Sequence, residues 1–416
     1  MHRRESLALR FPMPVSVNRL RLLAGSGSIQ GLRRSGGTRS VMLLVRCRAS
    51  CATTRASQSV HLGPTRRTTP VVTPEPSGRR CAIGRRTQMP EARTRHTPPG
   101  VLLKARPLPR QLEDRIADPM PDGIELYIHE DDVSGEPGDD RWRDSLRSRF
   151  DAITPRLTPG FSWIVEGPVW SLDGELFGLG GNRAIDRLLV ERLVTLANDI
   201  GAWAVNIHAV DGSPDPLVVS NDARNQAIDR AIPFLDWYVG ICQDAGVTPL
   251  IENVPPICRM RRGAFIFTPH GVEPGDLLAL CNAVPGLRLT VDTSHAQLAV
   301  NALRGVPPPE GSPESVALAG SVYRQRGEAG GPLTLMEFVT PLLGVTASVH
   351  VSNAAGLLDE GLPYDQGDAD LDEIVRYLAP YVRTFVTEPL DSDEDNAVEK
   401  RRMQGSLNRC LGKDPW

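Results

Sequence analysis

Between residues 247 and 390 the chain holds four short, apolar, β-branched runs, and each ends in a side chain able to bind a metal. They read Val247-Thr-Pro-Leu-Ile-Glu252-Asn253, Leu287-Arg-Leu-Thr-Val-Asp292-Thr-Ser-His295, Val345-Thr-Ala-Ser-Val-His350-Val-Ser and Val382-Arg-Thr-Phe-Val-Thr-Glu388-Pro389. A short apolar run bounded by turn residues is the pattern of a buried parallel strand. Four such strands, each followed by a loop and a helical pattern, place their polar ends on a common rim. In a (β/α)8 barrel that rim carries the active site, so the pattern bears on fold and function together.

The preceding residues continue the alternation. Strands are predicted over 101–105, 123–129, 161–166 and 203–208, with helices over 108–117, 141–153, 183–200 and 222–245, and a last helix over 393–411. Eight β/α units in about 310 residues fit an α/β protein of the (β/α)8 TIM-barrel class over 99–416. An open doubly wound sheet would gather its ligands at one switch point instead of spreading them over consecutive strands. Two connections are long, 255–274 and the Pro- and Gly-rich 304–332, and both are expected to be irregular covers or excursions.

The charge is unevenly placed. Residues 1–98 hold 19 of the 47 basic residues, all Arg, and 3 of the 50 acidic ones, which leaves 28 basic against 47 acidic groups in the remainder. So acidic a barrel repels polyanions, which argues against nucleic acid as a partner. The first 98 residues lack a sustained period and are expected to be disordered. Their composition suits either an organellar transit peptide or a start codon placed too early, with Met89 the internal start that keeps the first strand. Seven cysteines without paired spacing imply free thiols in a reducing, cytoplasmic compartment. No run approaches the roughly 20 apolar residues of a membrane span.

Glu252, Asp292, His350 and Glu388 offer three carboxylates and one imidazole, a mostly hard donor set for one divalent cation, Mn²⁺, Mg²⁺, Co²⁺ or Zn²⁺. Taken singly, each is equally a capping or salt-bridging residue at a strand end. His208 ends the fourth strand and either bonds a substrate hydroxyl or serves structurally. Glu166 ends the third and offers a further substrate contact, although a salt bridge to a loop arginine is simpler. Arg259, with Arg261 and Arg262, either clamps an anionic substrate group or sits in a solvated basic loop. Lys104 and Glu125 on the first two strands offer less, and His129 and His270 receive no role. Gly178-Leu-Gly-Gly-Asn-Arg183 reads as a turn and helix start better than as a phosphate cradle. Trp163, Trp170 and Trp203 border a sugar pocket or pack in the core.

The segments Leu250-Ile-Glu252-Asn253, Val291-Asp292-Thr-Ser-His295, Val349-His350-Val351 and Val386-Thr-Glu388, with Gln366-Gly-Asp-Ala-Asp-Leu371, resemble the xylose-isomerase-like barrel superfamily over about residues 99–412. That group includes sugar-phosphate isomerases and epimerases, inosose-type dehydratases and endonuclease IV. The resemblance implies that the four ligands hold one cation and that Glu252 and Glu388 also act as catalytic acid and base. It makes His295 a substrate contact or a second-site ligand, beside the plainer capping role. Residues 352–370 contain no histidine, which departs from the three-metal endonuclease branch. The expectation is a metal-dependent isomerase or epimerase of a small polyol- or ketose-type compound. A lyase or dehydratase, a phosphodiesterase of the endonuclease IV type and a non-catalytic binding barrel are the alternatives.

Overall fold

The computed structural model describes residues 98–260 and 263–413. The expectations for the Arg-rich extension, up to residue 97, and for Arg261 and Arg262 lie outside the described residues. Eight parallel strands close into a barrel: β1 Gly100–Ala105, β2 Gly123–Tyr127, β3 Ser162–Glu166, β4 Ala204–His208, β5 Thr248–Glu252, β6 Arg288–Asp292, β7 Thr346–Val351 and β8 Thr384–Thr387. Each pairs with its neighbours in sequence, and β8 returns to β1 with Val101 beside Phe385. The closed (β/α)8 barrel of the sequence reading is therefore the fold.

Side chains alternate across each strand. Val101, Ile124, Val165, Val205, Ile251, Val291, Val349 and Phe385 belong to the large core cluster that also contains the helix residues. Leu102, Ile164, Ala204, Leu250 and Val386 form a separate cluster, the apolar plug inside the ring. Burying a Leu, Ile or Val side chain contributes roughly 1.5–3 kcal/mol. Two residues further along stand Lys104, Glu166, Asn206, Glu252 and, just past the end of β8, Glu388, so the layer above the plug is polar.

Helices cover the outside: α1 Pro109–Arg115, α2 Arg141–Ile153, α3 Ala184–Ile200, α4 Asn221–Asp244, α5 Pro274–Ala283, α6 Thr293–Leu303, α7 Glu314–Glu328, α8 Leu335–Val339, α9 Leu371–Leu378 and α10 Val398–Cys410. The α3 helix ends in a left-handed cap at Gly201, φ +66°, a conformation that a β-carbon would strain. None of the described helices is long and apolar enough to cross a membrane.

Two expectations need correction. The connection 304–332 is not irregular throughout, because α7 lies within it. Val316, Ala319 and Tyr323 bury one face of that helix, a helical spacing obscured by the flanking Pro and Gly residues. The connection 255–274 carries a short hairpin of Cys258–Arg259 against Phe265–Ile266. Beyond β7 a second hairpin pairs Asn353–Ala355 with Asp359–Leu362.

Candidate metal centre

The C-terminal strand ends bring Glu252, Asp292, His350 and Glu388 together, with one donor atom from each within 4.8 Å of the others. Strand register sets this up. Asp292 lies beside His350 across β6 and β7, and His350 beside Val386, which places Glu388 one step beyond β8. His350 Nδ1 is 2.6 Å from Glu388 Oε2 and 3.3 Å from Glu252 Oε1. Those three atoms are buried without a hydrogen-bond partner. Buried, unpaired acceptors that face one another are costly alone and suit a shared cation, so the donor set fits a divalent metal.

Neighbouring side chains hold the donors in place. His350 Nε2 lies 2.9 Å from both Glu125 oxygens. A carboxylate only accepts, so Nε2 carries a proton; burial opposes charge on the imidazole, but Glu125, Glu252 and Glu388 raise it well above its ordinary value, and a cation would take the place of the Nδ1 proton. Asn206 donates to Glu252 Oε2 at 2.6 Å. The Asp292 backbone N–H donates to Asn253 Oδ1 at 2.7 Å, and Asn253 Nδ2 donates to the Asp292 carbonyl at 3.1 Å. Asp292 in turn caps α6 by accepting from the His295 N–H at 2.7 Å.

The concentration of charge shifts the titrating groups. Burial pushes the Asp292 carboxyl up to about 7, against the pull of His295. For Glu252 burial acts upward, but His350 and His208 outweigh it and hold the carboxyl down at about 2. Burial opposes protonation of His295, yet Asp292 and Glu360 raise it to about 9. Burial lowers His208.

Lys104 and Glu125 are the residues that the sequence reading undervalued. Lys104 Nζ stands 2.6 Å from Glu166 Oε2 and also bonds Glu388 Oε1. Burial works against its charge, but the Glu166 and Glu388 carboxylates raise it well above the ordinary lysine value. The partner of Glu166 is thus a strand lysine, which corrects the expected salt bridge to a loop arginine. The signal was available in the alternation, since Lys104, Glu166, Glu252 and Glu388 each stand two residues past an apolar inward position.

The centre opens into a cavity of about 470 Å³ lined by Lys104, Glu166, His208, His295, Arg259 and Glu388, among others. The four substrate-binding candidates therefore all border it. His295 Nδ1 pairs with the Asn253 carbonyl at 2.8 Å, and Nε2 lies 3.7 Å from Glu360, a residue of the second hairpin that sequence reasoning missed. Trp170 and His129 also line the cavity. Trp163 packs against Phe150 and Phe161, and Trp203 lies under the Arg383 guanidinium, so both are packing residues. The glycine-rich turn before α3 is tied to Asp211 through Gly178 and the Gly180 N–H.

A family model described as the xylose isomerase-like TIM barrel matches residues 122–404. Among solved structures, a D-tagatose 3-epimerase-like protein is 18% identical at a TM-score of 0.46, covering 75% of this chain and 98% of that one. A xylose isomerase domain protein from Planctomyces limnophilus is 12% identical at 0.47, covering 77% and 100%. A xylose isomerase-like TIM barrel protein from Mycobacterium smegmatis, in complex with magnesium, is 15% identical at 0.44, covering 73% and 88%. No curated protein matches the chain. With most of the barrel inside the matched segment and all eight strands closed in sequence order, the chain belongs to the xylose isomerase-like TIM barrel family.

Proposed function

We propose that this protein is a divalent-metal-dependent isomerase or epimerase of a small polyhydroxy carbonyl compound of the ketose type. The observation that carries the proposal is the convergence of Glu252, Asp292, His350 and Glu388, whose donor atoms lie within 4.8 Å beneath a cavity of small-molecule size. Those four residues would hold the cation. When bound, it supplies Lewis-acid chemistry that polarises a carbonyl and makes the neighbouring carbon-bound proton removable.

The chain's own groups do the rest. Glu252, wholly buried on β5, and Glu388, at the mouth just past β8, are the two carboxylates assigned as acid and base. One takes the α-proton and the other returns a proton to the planar carbon. His208, His295 and Glu166 border the cavity where hydroxyl groups would lie, and their polar atoms serve to orient a polyol. Arg259 is the rim residue suited to an acidic substrate group.

Incubating the Mn²⁺- or Mg²⁺-loaded protein with a ketose panel in deuterated water tests this. The expected result is solvent deuterium on carbon and a new isomer or epimer, with Glu252→Gln and Glu388→Gln each lowering the rate by about 10²–10⁴-fold. Loss of water from the substrate instead would place the same residues in a dehydratase. Absence of exchange with every ketose in the metal-loaded protein would overturn the proposal.

A further inference from the structure

A second cluster of possible metal donors adjoins the first: Glu166, His208 and Glu252 also bring one donor atom each within 4.8 Å. His208 Nε2 lies 3.4 Å from Glu166 Oε1 and 4.0 Å from Glu252 Oε2. Glu252 belongs to both sets, so the two together have the outline of a two-ion centre. Two carboxylate oxygens of the second set nevertheless face protein groups. Lys104 Nζ is ion-paired to Glu166 Oε2 at 2.6 Å, and the Asn206 amide donates to Glu252 Oε2 at 2.6 Å. In the first set, Glu252 Oε1 and Glu388 Oε2 face His350 Nδ1, at 3.3 Å and 2.6 Å, so those three atoms are turned toward one another.

We infer that Lys104 makes this centre mononuclear: its ammonium takes the place of a second cation between Glu166 and Glu388, and Asn206 withdraws the Glu252 oxygen that would otherwise bridge two ions. The inference rests on the proposed metal centre and adds what in this chain limits it to one ion. Lys104 reaches both carboxylates from β1, with only 12% of its side chain exposed, and so brings a fixed positive charge to the place a further divalent ion would need. Like charges in a dry site exclude one another. A centre with one ion lacks the paired clamp used in phosphodiester hydrolysis, which favours proton transfer as the chemistry. Lys104 acts here through the ligands and is a positioning residue.

The test counts metal on the full chain, stripped with chelator, reloaded with excess Mn²⁺ and desalted, by elemental analysis and by electron paramagnetic resonance. The expected result is one uncoupled Mn²⁺ per chain for the native protein and for Lys104→Arg. Lys104→Met and Lys104→Gln should bind two, with the broadened signal of a coupled pair. Two ions in the native protein, or one ion in folded Lys104→Met or Lys104→Gln, would overturn the inference and leave the proposed function standing. No bound ion in the native protein would remove the proposed function and this inference with it. The native count decides the first of these outcomes even if neither neutral variant folds, and the circular dichroism of each variant establishes whether it does.

Discussion

Glu125 on β2 reaches across the barrel interior to His350 on β7, and both of its oxygens lie 2.9 Å from His350 Nε2. This contact keeps the proton on Nε2, so that Nδ1 would be the nitrogen to meet a cation, and it would make the imidazole a stronger ligand. Replacing Glu125 by Gln should weaken divalent-metal binding by about 10–100-fold, as carboxylate–histidine–metal arrangements do. Competition against a fluorescent chelator measures this, and unchanged affinity would mean that the tautomer is set in another way.

Bound cation should also stabilise the fold. Three carboxylates and an imidazole within 4.8 Å of one another cost free energy without a counter-charge. At a free metal concentration of about one hundred times Kd, linkage contributes about 2.7 kcal/mol, a rise in melting temperature of roughly 5 °C for a domain of this size. Thermal unfolding with excess Mn²⁺ and with chelator gives the difference. Equal melting temperatures would contradict a native metal site.

Asn253 joins the ends of β5 and β6 through two hydrogen bonds to the Asp292 backbone, and it is wholly buried. Asn253→Ala leaves those backbone groups unpaired, each at about 1–3 kcal/mol. A destabilisation of about 3 kcal/mol in chemical denaturation is expected, with weaker metal binding because Asp292 loses its anchor. A change below about 0.5 kcal/mol, the size typical of neutral surface positions, would show the bridge to be dispensable.

His270 sits away from the cavity, fully buried and with neither ring nitrogen hydrogen-bonded. Burial, assisted by Arg230, pushes it down to about 4. The folded protein therefore keeps it neutral, while the unfolded chain protonates it below about 6.5. Stability from this residue is complete above that pH and is lost progressively as pH falls toward 4, by up to about 3 kcal/mol. His270→Gln should flatten this part of the stability profile. An unaltered slope between pH 4 and 6.5 would assign the acid sensitivity to other groups.

Much of this architecture was readable before any coordinates. The runs ending at Glu252, Asp292 and His350 appear as β5, β6 and β7 with those residues at or beside the C-terminal ends, because β-branched segments between turns have few other stable arrangements. The α7 helix was hidden because its Pro- and Gly-rich flanks imitate a loop, although its buried face has helical spacing. Glu125 and Lys104 were undervalued for a different reason. Each stands inside its strand, short of the C-terminal residue, and its partner, Glu388 for Lys104 and His350 for Glu125, is remote along the chain.

Taken by itself, the chain's order of residues determined the alternation of strands and helices and the presence of a side chain able to bind a metal at or beside the end of each of four strands, since both depend on local periodicity. Closure of the ring decided the rest. Only when β8 pairs with β1 does Lys104 come within reach of Glu388, and only across the enclosed interior can Glu125 meet His350, residues 225 apart along the chain. Such contacts arise from the register and curvature of the whole sheet, which no single segment encodes.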